Sequence, residues 1–303
     1  MRGQQFSTSV SRKPDSNPTS KNVSSLLQRE IYLENQVVRL VLNSSKKRNA
    51  LSSELMSELL RELEGINRIP KVRAVILAGN GPAFSAGHDL KELTSETGAE
   101  FHKEVFAKCT KLMTFIQQME LPVIAEVDGV AAAAGCQLVA SCDIVVASST
   151  STFSTPGLKA GIFCSTPGIP LVRNVPRKIA MDMLLTARVL NADEALRYGL
   201  VSRVVSSSEV RHEAIRVAEE ITKMSRSVTA IGKPFFYTQV DLPQNQAFSL
   251  KKSLYDETSR IKFILYSSLV NFGLPSPYLT GFSHYAIPIN LRVQEIFYNL
   301  KFL

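Results

Sequence analysis

The sequence lacks the features that mark membrane, metal and disulfide proteins. No run of about 20 apolar residues is free of proline, glycine and charge, so no membrane span is predicted. The few cysteines form no CxxC pair and have no histidine-rich set beside them. Buried free thiols therefore fit better than disulfides or a metal site, because free cysteine packs as a small hydrophobe. The four are Cys109, Cys136, Cys142 and Cys164. With 45% apolar and 20% charged residues over 303 positions, the composition is that of a soluble globular protein.

Acidic residues are nearly absent from the first 29 positions, which also lack a long apolar segment. Five basic residues stand there against Asp15 alone, so this leader supplies four of the eight net positive charges. Such a segment, rich in Ser, Thr and Asn, predicts a mitochondrial transit peptide and a matrix location, with a disordered tail as the alternative. The remaining charge is too small and too dispersed for a nucleic-acid-binding protein.

From residue 31 onward, apolar runs alternate with segments of helical periodicity. Strands are predicted over 37–42, 72–78, 122–127 and 143–147, and helices over 52–68, 100–119 and within 131–141. This β-α-β order predicts parallel strands joined by helical crossovers. After residue 178 the chain is predicted to be mostly helical, over 179–185, 192–198 and 209–224.

Two turns rich in glycine and alanine follow predicted buried strands, at residues 84–90 and 129–136. Small residues let a backbone approach a ligand closely, and free N–H groups at a helix start hold a negative oxygen. Two such groups converging would make an oxyanion hole. The alternative is that these small residues only permit tight helix packing.

Five motifs carry a family resemblance over about residues 31–255. They are Lys46-x-x-Asn49-Ala50-Leu51, Phe84-Ser85-Ala86-Gly87-His88-Asp89-Leu90, Pro122-Val123-Ile124-Ala125, Ala134-Gly135-Cys136-Gln137-Leu138-x-x-x-Cys142-Asp143-Ile144 and Ala192-x-Glu194-Ala195-x-x-x-Gly199-Leu200-Val201. In this order they resemble the enoyl-CoA hydratase/isomerase (crotonase) superfamily. The resemblance implies an α/β fold, a ββα spiral over 30–178 with a helical region over 179–255.

The resemblance also implies a binding site. The family binds acyl-CoA thioesters and stabilises an enolate oxygen, which places the oxyanion donors at the backbone N–H groups of Ala86 and Ala134. The CoA nucleotide is expected near Lys46, Arg48, Ala50 and Leu51, and the pantetheine near Gly87, His88 and Asp89. Lys46 and Arg48 would offset phosphate charge, or would simply be solvated. No cofactor beyond the CoA of the substrate and no metal is implied, and a homotrimer or dimer of trimers is expected.

Two positions depart from the family pattern. Hydratases of the superfamily use two glutamates to move protons, and these positions fall on Gln137 and Gly157, neither of which is a general acid or base. We therefore expect an acyl-CoA-binding protein of mitochondrial lipid and fatty acid metabolism with impaired hydration. The alternatives are a non-catalytic CoA-thioester sensor or regulatory subunit, and a decarboxylase or hydrolase of the same superfamily.

Other side chains are candidates to replace the missing acids. His88 lies beside Ala86 and titrates near neutrality in its unperturbed form. Glu126 and Asp128 stand at a strand end before the second turn, and Cys164 would need His88 as a base to act as a nucleophile. Asp89 and Asp143 occupy positions where the family has structural carboxylates.

The carboxy-terminal segment over 256–303 is atypical of the family. Residues 263–291 contain no Asp, Glu, Lys or Arg, and three prolines interrupt any long helix. This segment is expected to be a variant tail, and it is too broken to span a membrane.

Overall fold

Short apolar runs form the strands of two sheets in the computed structural model, which describes residue 18, residues 20–23 and residues 26–250. Most of the predicted leader and the whole of the atypical tail lie outside the described residues. The strands are β1 (Ser20–Val23), β2 (Leu27–Tyr32), β3 (Val37–Leu42), β4 (Ala74–Gly79), β5 (Ala83–Ser85), β6 (Val123–Val127), β7 (Val130–Ala132), β8 (Ile144–Ser148), β9 (Thr152–Ser154), β10 (Val189–Asn191) and β11 (Arg203–Val205).

The larger sheet has the order β1-β2-β3-β4-β6-β8-β11, and the smaller one has the order β10-β9-β7-β5. In the larger sheet β3, β4, β6, β8 and β11 run parallel, as the β-α-β pattern predicts. The smaller sheet was not predicted, because its strands have three residues each and show no periodicity.

Helices connect and cover these strands. They are α1 (Ser53–Asn67), α2 (Ala99–Gln118), α3 (Ala134–Ser141), α4 (Ser165–Asn174), α5 (Arg177–Thr186), α6 (Ala192–Tyr198), α7 (Val210–Thr222) and α8 (Arg226–Val240). Residues up to 242 form one compact unit, and residues 244–250 of a second unit are helical. Among the described residues, no helix has both the length and the apolar character needed to cross a membrane.

The core lies on both faces of the larger sheet. One face packs against α1, α2 and α3, and the other against α7. Helix α1 shows why its sequence folds this way: the Ser52 side chain accepts a hydrogen bond from the Leu55 N–H, and Leu55, Leu59 and Leu63 are buried at helical spacing. The predicted amphipathic helix over 52–68 is confirmed.

Polar residues are also buried on the α7 side of the sheet. Arg39 on β3 donates two hydrogen bonds of 2.7 Å to the Glu126 carboxylate on β6, and a third of 2.8 Å to Glu30 on β2. The Tyr32 hydroxyl donates to Glu30. Both Glu126 oxygens are thus bound by a cation, which gives this residue a structural role rather than the catalytic one considered from sequence.

A second buried polar cluster joins α8 to the starts of β6 and β8. The Lys233 ammonium donates to the carbonyls of Ile116 and Leu121 and lies 2.7 Å from Asp143. Asp143 also accepts from the Val123 N–H and the Tyr237 hydroxyl. Burial raises the pKa of Asp143, against the opposing effect of the Lys233 charge. These bonds fit the structural role expected for Asp143, at the amino-terminal edge of the parallel strands.

The opposite edge positions the candidate site. Strands β4 and β6 are neighbours and parallel, so the segments that follow them leave the sheet at the same edge. The segment after β4 leads to β5 and residues 86–90, and the segment after β6 leads to β7 and α3. The two small-residue turns predicted from sequence are therefore brought to one place.

Candidate functional site

Asn49 anchors the first turn. Its fully buried side chain donates to the carbonyls of Asn80 at 2.9 Å and Ala83 at 2.8 Å, and it accepts from the Ser44 N–H. The Asn49 carbonyl accepts a hydrogen bond from the Ser85 hydroxyl at 2.8 Å. The loop that carries Lys46 and Arg48 is therefore joined to the turn over residues 84–90.

The backbone donors of this turn have different partners. The Ala86 N–H donates to the Arg48 carbonyl at 3.0 Å, and the Gly87 carbonyl accepts from the Leu51 N–H at 2.7 Å. The His88 N–H donates to no protein acceptor within the described residues. The assignment of the oxyanion donor to Ala86 is thus corrected: its hydrogen is already bound by Arg48, and the free donor is that of His88.

The second turn places a backbone donor at the start of α3. Ala133 has φ 48° and ψ −120°, and its N–H donates to the Ser154 carbonyl at 2.9 Å. Ala134 begins the helix, and its N–H has no protein acceptor in the part of the chain that the structure describes. A helix start leaves such N–H groups unpaired and carries a partial positive charge.

Gly87 lets the two turns meet. It has φ +98°, and a Cβ at this position would lie 2.9 Å from the Ala133 Cβ and 3.2 Å from the Ala134 nitrogen. A larger residue would strain the backbone and push the second turn away. The free N–H groups of His88 and Ala134 therefore belong to turns in direct contact.

Ala133 adopts backbone angles that favour glycine, which gives a prediction about stability. A strained non-glycine residue costs about 1–3 kcal/mol, and glycine's greater freedom in the unfolded chain costs about 0.5–1 kcal/mol. We expect Ala133→Gly to raise the free energy of unfolding by about 0–2.5 kcal/mol in urea denaturation. The neighbouring Ala132→Gly, on β7, is the control and should lower it. If both variants lose stability equally, Ala133 is not strained.

Gln137 occupies the first turn of α3, three residues after Ala134. It is 4% exposed, and its Oε1 accepts a weak hydrogen bond from the Cys109 thiol, with Sγ at 3.9 Å. No protein acceptor for its Nε2 is present among the described residues. The side chain offers hydrogen bonds near the start of α3 but no exchangeable carboxyl proton.

Gly157 leaves no room for the second carboxylate. Its φ is negative, but a Cβ there would lie 2.3 Å from the Ile162 carbonyl oxygen and 2.6 Å from the Cys164 Sγ. Backbone contacts that close cannot be relieved by moving a side chain end. The space beside Gly157 is occupied by the chain over residues 162–164.

Cys164 is not an activated thiol. The Gly157 N–H donates to its Sγ at 3.2 Å, yet burial raises the pKa of the thiol. The proposed partner His88 packs its ring edge against Phe106 at 5.4 Å, and its Nδ1 lies 3.4 Å from the Leu51 carbonyl. Burial lowers the pKa of His88, so its imidazole is neutral. Cys164 is a buried free thiol, as are Cys109, Cys136 and Cys142, in agreement with the sequence prediction.

The remaining candidate residues are two carboxylates with protein partners and two exposed cations. Asp89 lies 3.1 Å from the Lys47 ammonium and accepts from the Lys91 N–H; burial raises the pKa of Asp89, but these contacts bring it below its usual value. Asp128 accepts from the Ser207 hydroxyl. Lys46 and Arg48 are exposed and form no ion pair in the described chain.

The other two positions predicted for the CoA nucleotide differ in exposure. Ala50 is half-buried, whereas Leu51 is fully buried in the core and offers only backbone atoms. No metal-binding cluster occurs among the described residues.

Thr155 is a polar residue that sequence reasoning missed. It follows β9, which pairs with β7 beside Ala133, and its Oγ1 is fully buried without a hydrogen-bond partner in the described chain. Only the motif position before Pro156 could have drawn attention to it. An unpaired buried hydroxyl is costly, so it identifies a place where a ligand or water is needed.

Known proteins resemble this chain in sequence and in structure. The family model described as enoyl-CoA hydratase/isomerase matches residues 33–266. Enoyl-CoA hydratase domain-containing protein 3, mitochondrial, is 46% identical over 229 residues in Xenopus laevis, covering 76% of this chain and 78% of that protein. The protein of the same name from Homo sapiens is 50% identical over 206 residues, covering 68% and 67%.

Solved structures agree with these matches. The crystal structure of human enoyl-CoA hydratase domain-containing protein 3 superposes with a TM-score of 0.72 at 41% identity, covering 83% of this chain and 98% of that one. The enoyl-CoA hydratase of Mycobacterium smegmatis gives a TM-score of 0.74 at 41% identity, covering 77% and 90%. These neighbours confirm the predicted crotonase fold. The chain belongs to the enoyl-CoA hydratase/isomerase family.

Proposed function

We propose that this protein binds acyl-CoA thioesters with the carbonyl oxygen between the backbone N–H groups of His88 and Ala134. The observation that carries the proposal is that these two donors lack an acceptor among the described residues and stand on turns that Gly87 brings into contact. Two fixed donors aimed at one oxygen stabilise the negative charge of an enolate. Family membership supplies the thioester as the ligand.

Exposed cations support the nucleotide part of the proposal. Lys46 and Arg48 extend from the loop whose backbone holds the first turn, so a CoA phosphate bound there would lie on a loop that is hydrogen-bonded to the turn carrying the His88 donor. Opposite charge next to a phosphate favours binding and makes it depend on salt.

Proton transfer is the part of the hydratase reaction for which the site has no group. Gln137 is an amide, and the space at Gly157 is filled by residues 162–164. Hydration of an enoyl thioester needs a base for water and an acid for the α carbon. The packing at Gly157 favours, as the second candidate, a protein that senses acyl-CoA without turning it over.

A pair of ligands tests the carbonyl site. Butyryl-CoA and the thioether S-butyl-CoA differ only in the carbonyl oxygen. Each neutral hydrogen bond adds about 0.5–1.5 kcal/mol, so for the two bonds together we expect calorimetry to give roughly 5- to 150-fold tighter binding of butyryl-CoA. Equal affinities would show that no oxyanion hole is present.

Charge variants test the nucleotide site separately. Replacing Lys46 and Arg48 together with alanine should weaken both ligands by the same factor and reduce the salt dependence of binding. Arg68→Ala, which removes an exposed cation at the end of α1, is the control. An unchanged affinity in the double variant would place the phosphates elsewhere.

Location and assembly complete the proposal. Relatives from Xenopus laevis and Homo sapiens are named as mitochondrial, and we place this protein in the mitochondrial matrix. A homotrimer or a dimer of trimers is supported by exposed apolar residues on α4 and α5, such as Ile169 and Leu185, each 56% exposed. A fluorescent fusion of residues 1–29 tests the location, and light scattering of the purified protein tests the assembly.

A further inference from the structure

We infer that C3 of the acyl group bound by this protein is a carboxylate carbon, as in malonyl-CoA. The inference rests on the proposed function and names the class of substrate for the same site. It follows from the hydrogen-bond donors near the start of α3, where the proposed site would hold the acyl group. It also follows from the absence there, among the described residues, of any unpaired acid.

Two buried polar side chains supply the donors. Gln137 is 4% exposed, its Oε1 is held by the Cys109 thiol, and its Nε2 hydrogens have no protein acceptor in the described chain. Thr155 is fully buried, and its Oγ1 has no partner there either. The unpaired buried hydroxyl of Thr155 is costly, and the Gln137 Nε2 hydrogens are available to donate, so a ligand that brings acceptor oxygens is favoured over one that brings methyl groups.

The helix geometry places one donor near C3. Residues three apart on a helix lie on the same face, about 5–6 Å from each other, and Gln137 is three residues after Ala134. When the thioester oxygen lies at the Ala134 N–H, C3 is two bonds beyond the carbonyl carbon. A carboxylate at C3 is then within reach of the Gln137 amide.

The electrostatics of the surroundings favour an anion. Asp89 is paired with Lys47, and Gly157 has no side chain. Burial raises the pKa of the Cys136 thiol to about 12, so this thiol on α3 is neutral. The start of α3 contributes a partial positive charge. A family member with glutamate at position 137 would repel a second carboxylate, whereas this chain does not.

Malonyl-CoA and isovaleryl-CoA form a matched test. Their acyl groups have nearly the same shape, with two carboxylate oxygens in one where the other has two methyl groups. We expect competition calorimetry on the natural chain to give at least tenfold tighter binding of malonyl-CoA. In Gln137→Glu this preference should fall at least tenfold, since two carboxylates would face each other. The affinity for isovaleryl-CoA should change less than threefold.

Two further variants control for charge and for folding. Gln118→Glu adds the same charge at the exposed end of α2 and should keep the malonyl preference. Gln137→Met removes the amide without adding charge, so this variant should lose only part of the preference for malonyl-CoA. Equal affinity of the natural chain for the two ligands overturns the inference and leaves the proposed function intact. Failure of both ligands to bind overturns the proposed function itself.

Discussion

Crotonyl-CoA hydration by the purified protein is expected to be at least ~10²–10⁴-fold slower than hydration by a family member with both carboxylates. A positioned proton-transfer group contributes about that factor, and both groups are missing here. Because acid and base act as a unit, the loss of two is not the product of the single losses. The enoyl-CoA hydratase of Mycobacterium smegmatis, assayed in parallel, is the reference. A comparable turnover number in the two proteins would contradict the expectation and require another proton-transfer group.

Restoring the carboxylates should succeed at one position only. Gln137→Glu places an acid on a helix turn that already accommodates a side chain of that size, and we expect it to raise the residual hydration rate. Gly157→Glu should not raise it, because its Cβ would lie 2.3 Å from the Ile162 carbonyl oxygen. We expect the double variant to be no faster than Gln137→Glu alone.

Stability measurements separate this steric reason from a chemical one. Gly157→Ala already adds the offending Cβ and should lower the free energy of unfolding by about 1–3 kcal/mol, as overpacked sites do. Gly65→Ala is the matched control, since a Cβ there meets nothing within 4 Å and alanine favours the helix. If Gly157→Ala melts like the natural chain, residues 162–164 move aside and the double variant becomes a fair test of catalysis.

Patterns of neighbouring residues predicted the elements that pack along their whole length. The apolar run over 72–78 corresponds to β4, and the periodicity over 209–224 corresponds to α7. Helix α4 was missed because it contains Pro170. Helix α8 lies in the helical region expected over 179–255, but its bounds were not predicted because Gly232 and Pro234 interrupt its pattern. Local sequence predicts a helix poorly where tertiary packing overrides the helix propensity of its residues.

The site was predicted as far as its turns but not atom by atom. Which N–H group is free in residues 84–90 depends on the Arg48 carbonyl, which comes from a loop more than 30 positions earlier. The filled space at Gly157 depends on how residues 162–164 fold back. Contacts of this kind between separate segments leave no local pattern in the sequence.

Removing Arg39 is expected to have the largest effect on stability. The guanidinium is 3% exposed and binds both Glu126 oxygens and one Glu30 oxygen. Taking one partner from a buried ion pair leaves uncompensated charge and costs about 3–5 kcal/mol. We expect Arg39→Met to lower the free energy of unfolding in urea by this amount. The control is Arg216→Met: this arginine is 51% exposed and its partner Glu213 keeps its ion pair with Arg203, so the change should cost at most about 1 kcal/mol.

The pH dependence of this loss identifies its cause. Burial raises the pKa of Glu30, but the Arg39 charge and hydrogen bonds from Tyr32 and Arg39 outweigh it and hold the pKa below its ordinary value of 4.5. A lowered pKa stabilises the natural chain above about pH 4.5, and this stabilisation is lost as the pH falls through the folded value. In Arg39→Met the buried Glu30 carboxyl lacks the Arg39 cation, so acid, which neutralises it, costs that variant less. The difference in unfolding free energy between the two proteins should therefore be largest near neutral pH and shrink below pH 5. A difference that stays constant with pH would mean that Arg39 contributes through packing of its methylene groups rather than through its charge.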